Sequence, residues 1–123
     1  MGARVGAALG LTLMLATTVA PAAVLHCNVG PVTKTYGKTS WWVYSCHDYS
    51  NIVVVTTPGS PAAPFYFFIS VTRGEIQLRG EGTGRQDLTD AAYKDLNLLK
   101  GGDVAKLIAE TAKPRKHDSH RTN

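Results

Sequence analysis

The spacing of apolar residues divides the chain into a strand-like part and a helix-like part. Four short runs are rich in β-branched and aromatic residues, a composition typical of β-strands: residues 41–46, 52–57, 65–72 and 75–79. The last run alternates, with Ile76 and Leu78 on one side and charged residues on the other, which predicts an antiparallel strand with one solvated face. A further apolar run at residues 24–29 is expected to add a first strand, giving a sheet of four to five strands.

The segments between these runs carry residues that interrupt regular structure. Residues 30–40 mix glycine, proline, threonine and lysine, which predicts a loop. Residues 58–64 place a proline at every third position, which predicts an extended, polyproline-like connection. Arg73 and Gly74 are expected to form a tight turn, because glycine adopts positive φ without strain.

In the C-terminal third, the apolar residues recur at helical spacing. Asp87 is expected to cap a helix that continues to Lys100 and buries leucines and alanines on one face. The pair Gly101-Gly102 is expected to end this helix, and Asp103 to cap a second one. Strands first and helices last predict the α+β class, with a four- to five-stranded antiparallel sheet followed by two C-terminal helices.

Residues 1–22 have the three-part pattern of a secretory signal peptide. Arg4 supplies a positive charge, an uncharged run of small and aliphatic residues follows, and Ala20 and Ala22 provide the small side chains that a signal peptidase requires. The apolar run is shorter than the roughly 20 residues that span a bilayer. We therefore expect cleavage after Ala22, a mature chain that begins at Ala23, and a periplasmic or secreted protein without a stable membrane anchor.

The distribution of charge predicts a neutral domain followed by a basic tail. Residues 23–112 carry eight Lys/Arg and eight Asp/Glu, whereas residues 113–123 carry four basic residues and one acidic residue. A nucleic-acid-binding protein needs a basic stripe on its folded surface, so we expect no nucleic-acid partner. The tail contains no apolar residue and is predicted to be disordered, with His117 and His120 as a weak alternative metal site.

Cys27 and Cys46 are the only cysteines in the sequence. An even number of cysteines in an exported protein predicts a disulfide, here closing a loop of about 20 residues. A metal site built from both cysteines with His26 and His47 is the alternative, but neighbouring residues on a strand point to opposite faces and do not easily converge on one ion. If the mature chain began at Val24, His26 would be its third residue, and a free amine with histidine third can bind Cu(II) or Ni(II). With the expected start at Ala23, His26 is the fourth residue and this site is lost. Neither a metal nor a cofactor is therefore predicted.

Aromatic residues occupy one side of two predicted strands. Trp42 and Tyr44 share a face of their strand, and Tyr66 and Phe68 share a face of theirs. If the helices cover only the opposite face of the sheet, these side chains form a patch suited to binding another exported protein or a small ligand. The alternative is that both faces are covered and the aromatic pairs only stabilise the sheet.

A glycine-rich segment lies between the last predicted strand and the first predicted helix. Backbone amides near Gly82 and Gly84, the helix N-terminus and Arg85 could together hold a phosphate or carboxylate. The glycine order matches neither the dinucleotide-binding fingerprint nor the P-loop, and Asp87 and Asp90 would repel an anion. A flexible connector is the alternative interpretation.

The sequence contains the residue types of a hydrolase without a local signature of one. His47 and Asp48 lie close to Ser45 and Ser50, but neither serine is set in a nucleophile elbow. We assign no catalytic residue and expect a non-enzymatic domain that binds a protein or a ligand. A small metal- or anion-binding protein is one alternative.

A second alternative comes from a local resemblance. Tyr44-Ser45-Cys46, leading into valine-rich strands in a small exported chain, resembles the corresponding strand start of periplasmic lysozyme inhibitors. The resemblance implies inhibition of another exported protein. It covers that strand start alone, because the inhibitory-loop pattern of serine, glycine and aromatic residues has no counterpart later in this chain.

Overall fold

The computed structural model describes residues 25–113, together with five isolated positions nearer the N-terminus: Gly2, Gly6, Gly10, Met14 and Leu15. Most of the predicted signal peptide and all but the first residue of the predicted tail lie outside the described residues, as do His117 and His120. Within the described part of the chain, no helix combines the length and hydrophobicity needed to cross a membrane.

Five strands are followed by two helices, which confirms the predicted α+β class. The elements are β1 Val29–Tyr36, β2 Thr39–Ser45, β3 Asn51–Thr56, β4 Phe65–Thr72, β5 Glu75–Gly82, α1 Gln86–Leu96 and α2 Gly101–Thr111. The strands form one antiparallel sheet in the order β1-β2-β3-β4-β5, so each strand pairs with its neighbours in sequence. A disulfide joins Cys27 to Cys46, as predicted, and ties the segment before β1 to the end of β2.

The core lies between the two helices and one face of the sheet. Strand residues on this face alternate with solvated ones and are at most 1% exposed: Trp41, Val43, Ile52, Val54, Phe67 and Ile69. The helices contribute Ala92, Leu96, Val104 and Leu107 to the same cluster. Trp41 is central, because its ring centroid lies 5.3 Å from that of Phe67 and its Nε1 donates to the Tyr36 carbonyl oxygen at 3.2 Å.

The predicted loop at residues 30–40 is wrong, because most of it forms β1 and the turn into β2. Gly37 and Lys38 have φ of 58° and 63°, the positive values that a two-residue hairpin turn requires. The Gly37 amide donates to Asp95 Oδ2 of α1 at 2.6 Å, which fixes the turn against the helix. The first strand therefore begins at Val29, and the predicted strand at residues 24–29 is wrong for residues 25–28. Pairing with β2 outweighs the turn-like composition of this segment.

The predicted helix boundaries are also partly wrong. Helix α1 ends at Leu96 and does not reach Lys100, while Gly101 starts α2 and terminates nothing. Asp103 stabilises the start of α2 from within its first turn, where its carboxylate accepts the Lys100 backbone amide at 2.9 Å. Asp87 lies in the first turn of α1 rather than at its N-cap, and the Leu96–Lys100 connection uses compact turns.

Residues 58–64 form two successive turns and not an extended polyproline segment. The Ser60 amide donates to the Thr57 carbonyl at 3.1 Å, and the Ala63 amide donates to the Ser60 carbonyl at 3.0 Å. Ala62 is completely buried in the core cluster. The turns are favoured because they satisfy backbone groups locally and bury a methyl group, neither of which an extended segment does.

Candidate functional site

The side of the sheet opposite the helices carries a continuous band of aromatic and aliphatic side chains. We call this surface the open face and define it by six residues of the three central strands: Trp42, Tyr44, Val53, Val55, Tyr66 and Phe68. The residues between them in sequence are buried in the core, whereas these six all retain contact with solvent. Among the described residues, no segment buries this face.

Strand register brings the four aromatic residues of the open face together. Trp42 pairs with Val55, which in turn pairs with Tyr66, forming one row across β2, β3 and β4. Tyr44, Val53 and Phe68 form the adjacent row in the same order. Successive rows on one face of a sheet are two residues apart along each strand, so the aromatic rings lie on one surface, in two pairs on either side of β3.

Polar side chains border the open face along β5. Tyr66 pairs with Glu81 and Phe68 with Arg79, so the two rows end in charges of opposite sign. The Tyr66 hydroxyl donates to Glu81 Oε2 at 2.9 Å. This hydrogen bond and the nearby carboxylate charge raise the pKa of Tyr66, which remains a neutral hydroxyl at physiological pH. The border therefore adds polar contacts without giving the face a net charge.

The open face is broad and shallow rather than enclosed. It includes an open concavity of about 490 Å³ beside Tyr66, with Val55, Pro64, Phe65 and Glu81 among its lining residues. Tyr66 is 42% exposed although its ring is anchored by Glu81. An exposed, oriented tyrosine on the same sheet face as Trp42 and Phe68 is the kind of anchor found at protein-binding surfaces.

Val53 and Val55 belong to the open face and Glu81 to its border, although none of the three is among the predicted site residues. The run at residues 52–57 begins with four consecutive apolar residues, so composition alone does not show which of them face the helices. The register supplies that information, because Val54 is buried while Val53 and Val55 face the other side. Glu81 continues the alternation of polar residues in β5, and the predicted strand omits it because that strand ends at residue 79.

The glycine-rich segment is explained by close packing. The Thr83 and Gly84 amides both donate to the Pro64 carbonyl oxygen, at 3.0 and 3.1 Å. Arg85 forms two hydrogen bonds with the Asp87 carboxylate, at 2.7 and 3.1 Å, and this contact lowers the pKa of Asp87. Gly82 has φ of 144° and packs on Phe65 and Pro64. The groups proposed to hold an anion thus have partners within the chain, and anion binding stays a prediction without a supporting contact.

We expect Gly84→Ala to destabilise the protein by about 2–3 kcal/mol, at the upper end of typical overpacking costs. A Cβ at Gly84 would lie 1.7 Å from the Ala62 carbonyl oxygen, so the β5–α1 connection would have to move. Gly102→Ala is the matched control, because a Cβ there meets nothing within 4 Å in a helix that favours alanine. Urea unfolding of both variants tests this, and equal stability of the two would contradict the packing explanation.

A second concavity lies between β1 and α2, away from the open face. The Lys34 Nζ lies 2.6 Å from Glu110 Oε2, and Tyr36, Asp103 and Lys106 line the same depression of about 180 Å³. Burial raises the pKa of Tyr36 to about 12, with the charge of Glu110 contributing in the same direction. The contacts here attach the edge strand to the helix.

The raised pKa of Tyr36 predicts alkaline destabilisation. Because the folded-state pKa of about 12 exceeds the ordinary value of 10.0, its contribution to stability is complete below pH 10 and is lost as the pH rises towards 12. We expect Tyr36→Phe to remove the most alkaline step from the tyrosinate absorbance titration. It should also flatten the fall in stability between pH 10 and 12. An unchanged titration would contradict the assignment.

The residues considered for hydrolysis have structural partners. Ser45 is 2% exposed and its hydroxyl lies 2.6 Å from Thr111 Oγ1, an interaction that joins β2 to the end of α2. The Asp48 carboxylate accepts the amides of Ser50 and Asn51, both at 3.1 Å, and so stabilises the β2–β3 turn. These contacts give Ser45 and Asp48 structural roles in the fold.

No set of three or more metal-ligating side chains lies together within the described residues. The chain matches no model of a known protein family, no curated protein and no solved structure at a significant level.

Proposed function

We propose that the protein is an exported, non-enzymatic binding domain that engages another exported protein through the open face. The observation that carries this proposal is the contrast between the two faces of one sheet. The face against the helices is sealed, whereas the opposite face presents Trp42, Tyr44, Tyr66 and Phe68 with partial solvent exposure. Tyr66 is exposed and the other three are half-buried, and a solvent-accessible aromatic cluster of this kind is typical of partner surfaces.

Export to the periplasm or the cell exterior is part of the proposal. The N-terminal sequence has the pattern of a signal peptide, and a disulfide in a small domain is compatible with an oxidising compartment. Both features fit a partner in the same compartment.

The shape and charge of the open face favour a protein partner over a small ligand. Small-molecule sites enclose most of the ligand surface, whereas the concavity beside Tyr66 is open to solvent. The charges of Arg79 and Glu81 cancel at the border of the open face. The matching surface of the partner is therefore apolar at its centre and has no strong net charge. Inhibition of an exported enzyme is one activity that such a surface can support.

The first test compares aromatic substitutions on the open face with a tyrosine substitution on α1. Tyr66 on the open face and Tyr93 on α1 are 42% and 44% exposed, so they are matched in residue type and accessibility. We expect the double variant Tyr66→Ser/Phe68→Ser to lose binding with little change in melting temperature, and Tyr93→Ser to keep both. The measurement is quantitative capture from the exported fraction of the host, followed by an affinity titration with the purified captured protein.

Four outcomes of this test would contradict the proposal. One is capture that is unaffected by Tyr66→Ser/Phe68→Ser, and another is capture that Tyr93→Ser reduces equally. The third is a large fall in melting temperature of the double variant, which would place these side chains in the core. Self-association that is lost in the double variant would identify a second copy as the occupant and exclude a different protein partner.

A further inference from the structure

Two histidines lie side by side next to the disulfide. His26 precedes Cys27 and His47 follows Cys46, so the disulfide that joins the cysteines also holds the histidines close together. The His47 backbone amide donates to the His26 carbonyl oxygen at 2.8 Å, which fixes the two backbones locally. The imidazole centroids are 6.3 Å apart, with the ring planes at 88°.

Because the two cysteines are bonded to each other, they are not available as metal ligands, and the remaining candidates are the two histidines. Cys46 is 1% exposed and points into the protein, whereas its neighbour His47 is exposed; His26 is exposed as well. With both cysteines bound to each other, both imidazoles remain on the solvent side of the bridge. Two separate segments thus present nitrogen ligands from a covalently restrained base.

A contact with Asn28 orients the ring of His47. The Nε2 atom of His47 lies 2.6 Å from Asn28 Oδ1. Since this contact occupies Nε2, Nδ1 is the ring nitrogen available to a metal ion. Histidines that bind metals typically donate their second ring nitrogen to an oxygen in this way, which orients the ring and makes the ligating nitrogen more basic.

We propose that His26 and His47 form a solvent-exposed binding site for a divalent first-row metal ion, with the tightest binding for Cu(II). Imidazole suits copper, nickel and zinc, and the affinity of a nitrogen site generally peaks at Cu(II) along this series. The two imidazoles supply two ligands, and water completes the coordination. Asn28 is a positioning residue that acts through His47. This site is separate from the open face and does not depend on the proposed partner.

The test is a Cu(II) titration of the oxidised mature chain, with calorimetry to measure affinity and electron paramagnetic resonance to identify the ligands. We expect a one-to-one complex with two imidazole nitrogens, and affinity that falls roughly tenfold or more in either His26→Ala or His47→Ala. Asn28→Ala should weaken binding less than loss of either ligand. The variant His117→Ala/His120→Ala is the control, and its affinity at this site should be unchanged.

Each competing explanation gives a different result. Binding that survives His47→Ala but not His26→Ala would indicate an amino-terminal copper chelate. Binding that is lost in His117→Ala/His120→Ala would place the copper on the tail. Binding that is unchanged in both His26→Ala and His47→Ala, or the absence of a one-to-one complex, would also overturn the proposal. Melting curves of the two variants confirm that any loss is not due to unfolding, since both side chains are exposed.

Discussion

Trp41→Ala will lower the free energy of unfolding by about 3–5 kcal/mol, whereas Trp42→Ala will cost much less. These adjacent tryptophans are identical in chemistry and lie on opposite faces of β2. Trp41 is completely buried, packs against Phe67 in a tilted arrangement and donates a hydrogen bond to the Tyr36 carbonyl. Its removal leaves a cavity that the tightly packed core can fill only partly. Trp42 retains contact with solvent, so its truncation leaves no enclosed cavity.

Urea unfolding of both variants, with the slope of the transition compared as well as its midpoint, measures this difference. The pair also separates stability from binding, because Trp42→Ala should weaken capture of the partner while the domain stays folded. Comparable destabilisation by the two substitutions would show that a layer of protein buries the open face in solution. It would contradict the assignment of that face as a binding surface.

Removal of the disulfide has the second large effect. We expect Cys27→Ala/Cys46→Ala to lower the free energy of unfolding by about 3 kcal/mol, because the bridge restricts a loop of about 20 residues in the unfolded chain. The same pair of substitutions frees the segment before β1, so the spacing of His26 and His47 should be lost together with the stability. Thermal unfolding of the variant and of the oxidised protein measures the change.

A reducing agent provides the control for this prediction. It should lower the melting temperature of the wild-type protein towards that of Cys27→Ala/Cys46→Ala and leave the variant itself unchanged. Equal stability of the oxidised protein and the variant would show that the remaining sheet contacts hold this corner without the bridge.

The parts of the fold that could be predicted from sequence are those with a strong local pattern. The alternation in β5 and the dense β-branched and aromatic composition of β2, β3 and β4 each indicate a strand without reference to the rest of the chain. The change to helical spacing after β5 likewise indicates the two helices. The cysteine pair predicts the disulfide because exported chains rarely leave two thiols unpaired.

The errors occur where long-range contacts override local composition. Strand β1 contains a glycine, a proline and the polar run Thr33–Thr35, a composition that resembles a loop. Pairing with β2 and the contact of Gly37 with Asp95 nevertheless favour a hairpin. Gly101 resembles a helix stop, yet the carboxylate of Asp103 stabilises a new helix from that position. Neither interaction is visible from spacing alone.

The candidate site likewise combines features that local sequence patterns predict with features that depend on long-range contacts. Strand alternation predicts that Trp42 shares a face with Tyr44, and Tyr66 with Phe68. It does not predict that the two pairs face the same side of the sheet, because that depends on register through β3. The proximity of His26 and His47 is a further consequence of pairing, since the disulfide and one backbone hydrogen bond bring together residues that are distant in sequence.

Site-specific photo-cross-linking in the exporting host tests the binding surface most directly. A benzoylphenylalanine residue would replace Tyr66 on the open face in one variant and Tyr93 on α1 in another, two positions with nearly equal exposure. We expect a discrete adduct with another exported protein from position 66 and none with that protein from position 93. The absence of an adduct from position 66, or the same adduct from both positions, would contradict it.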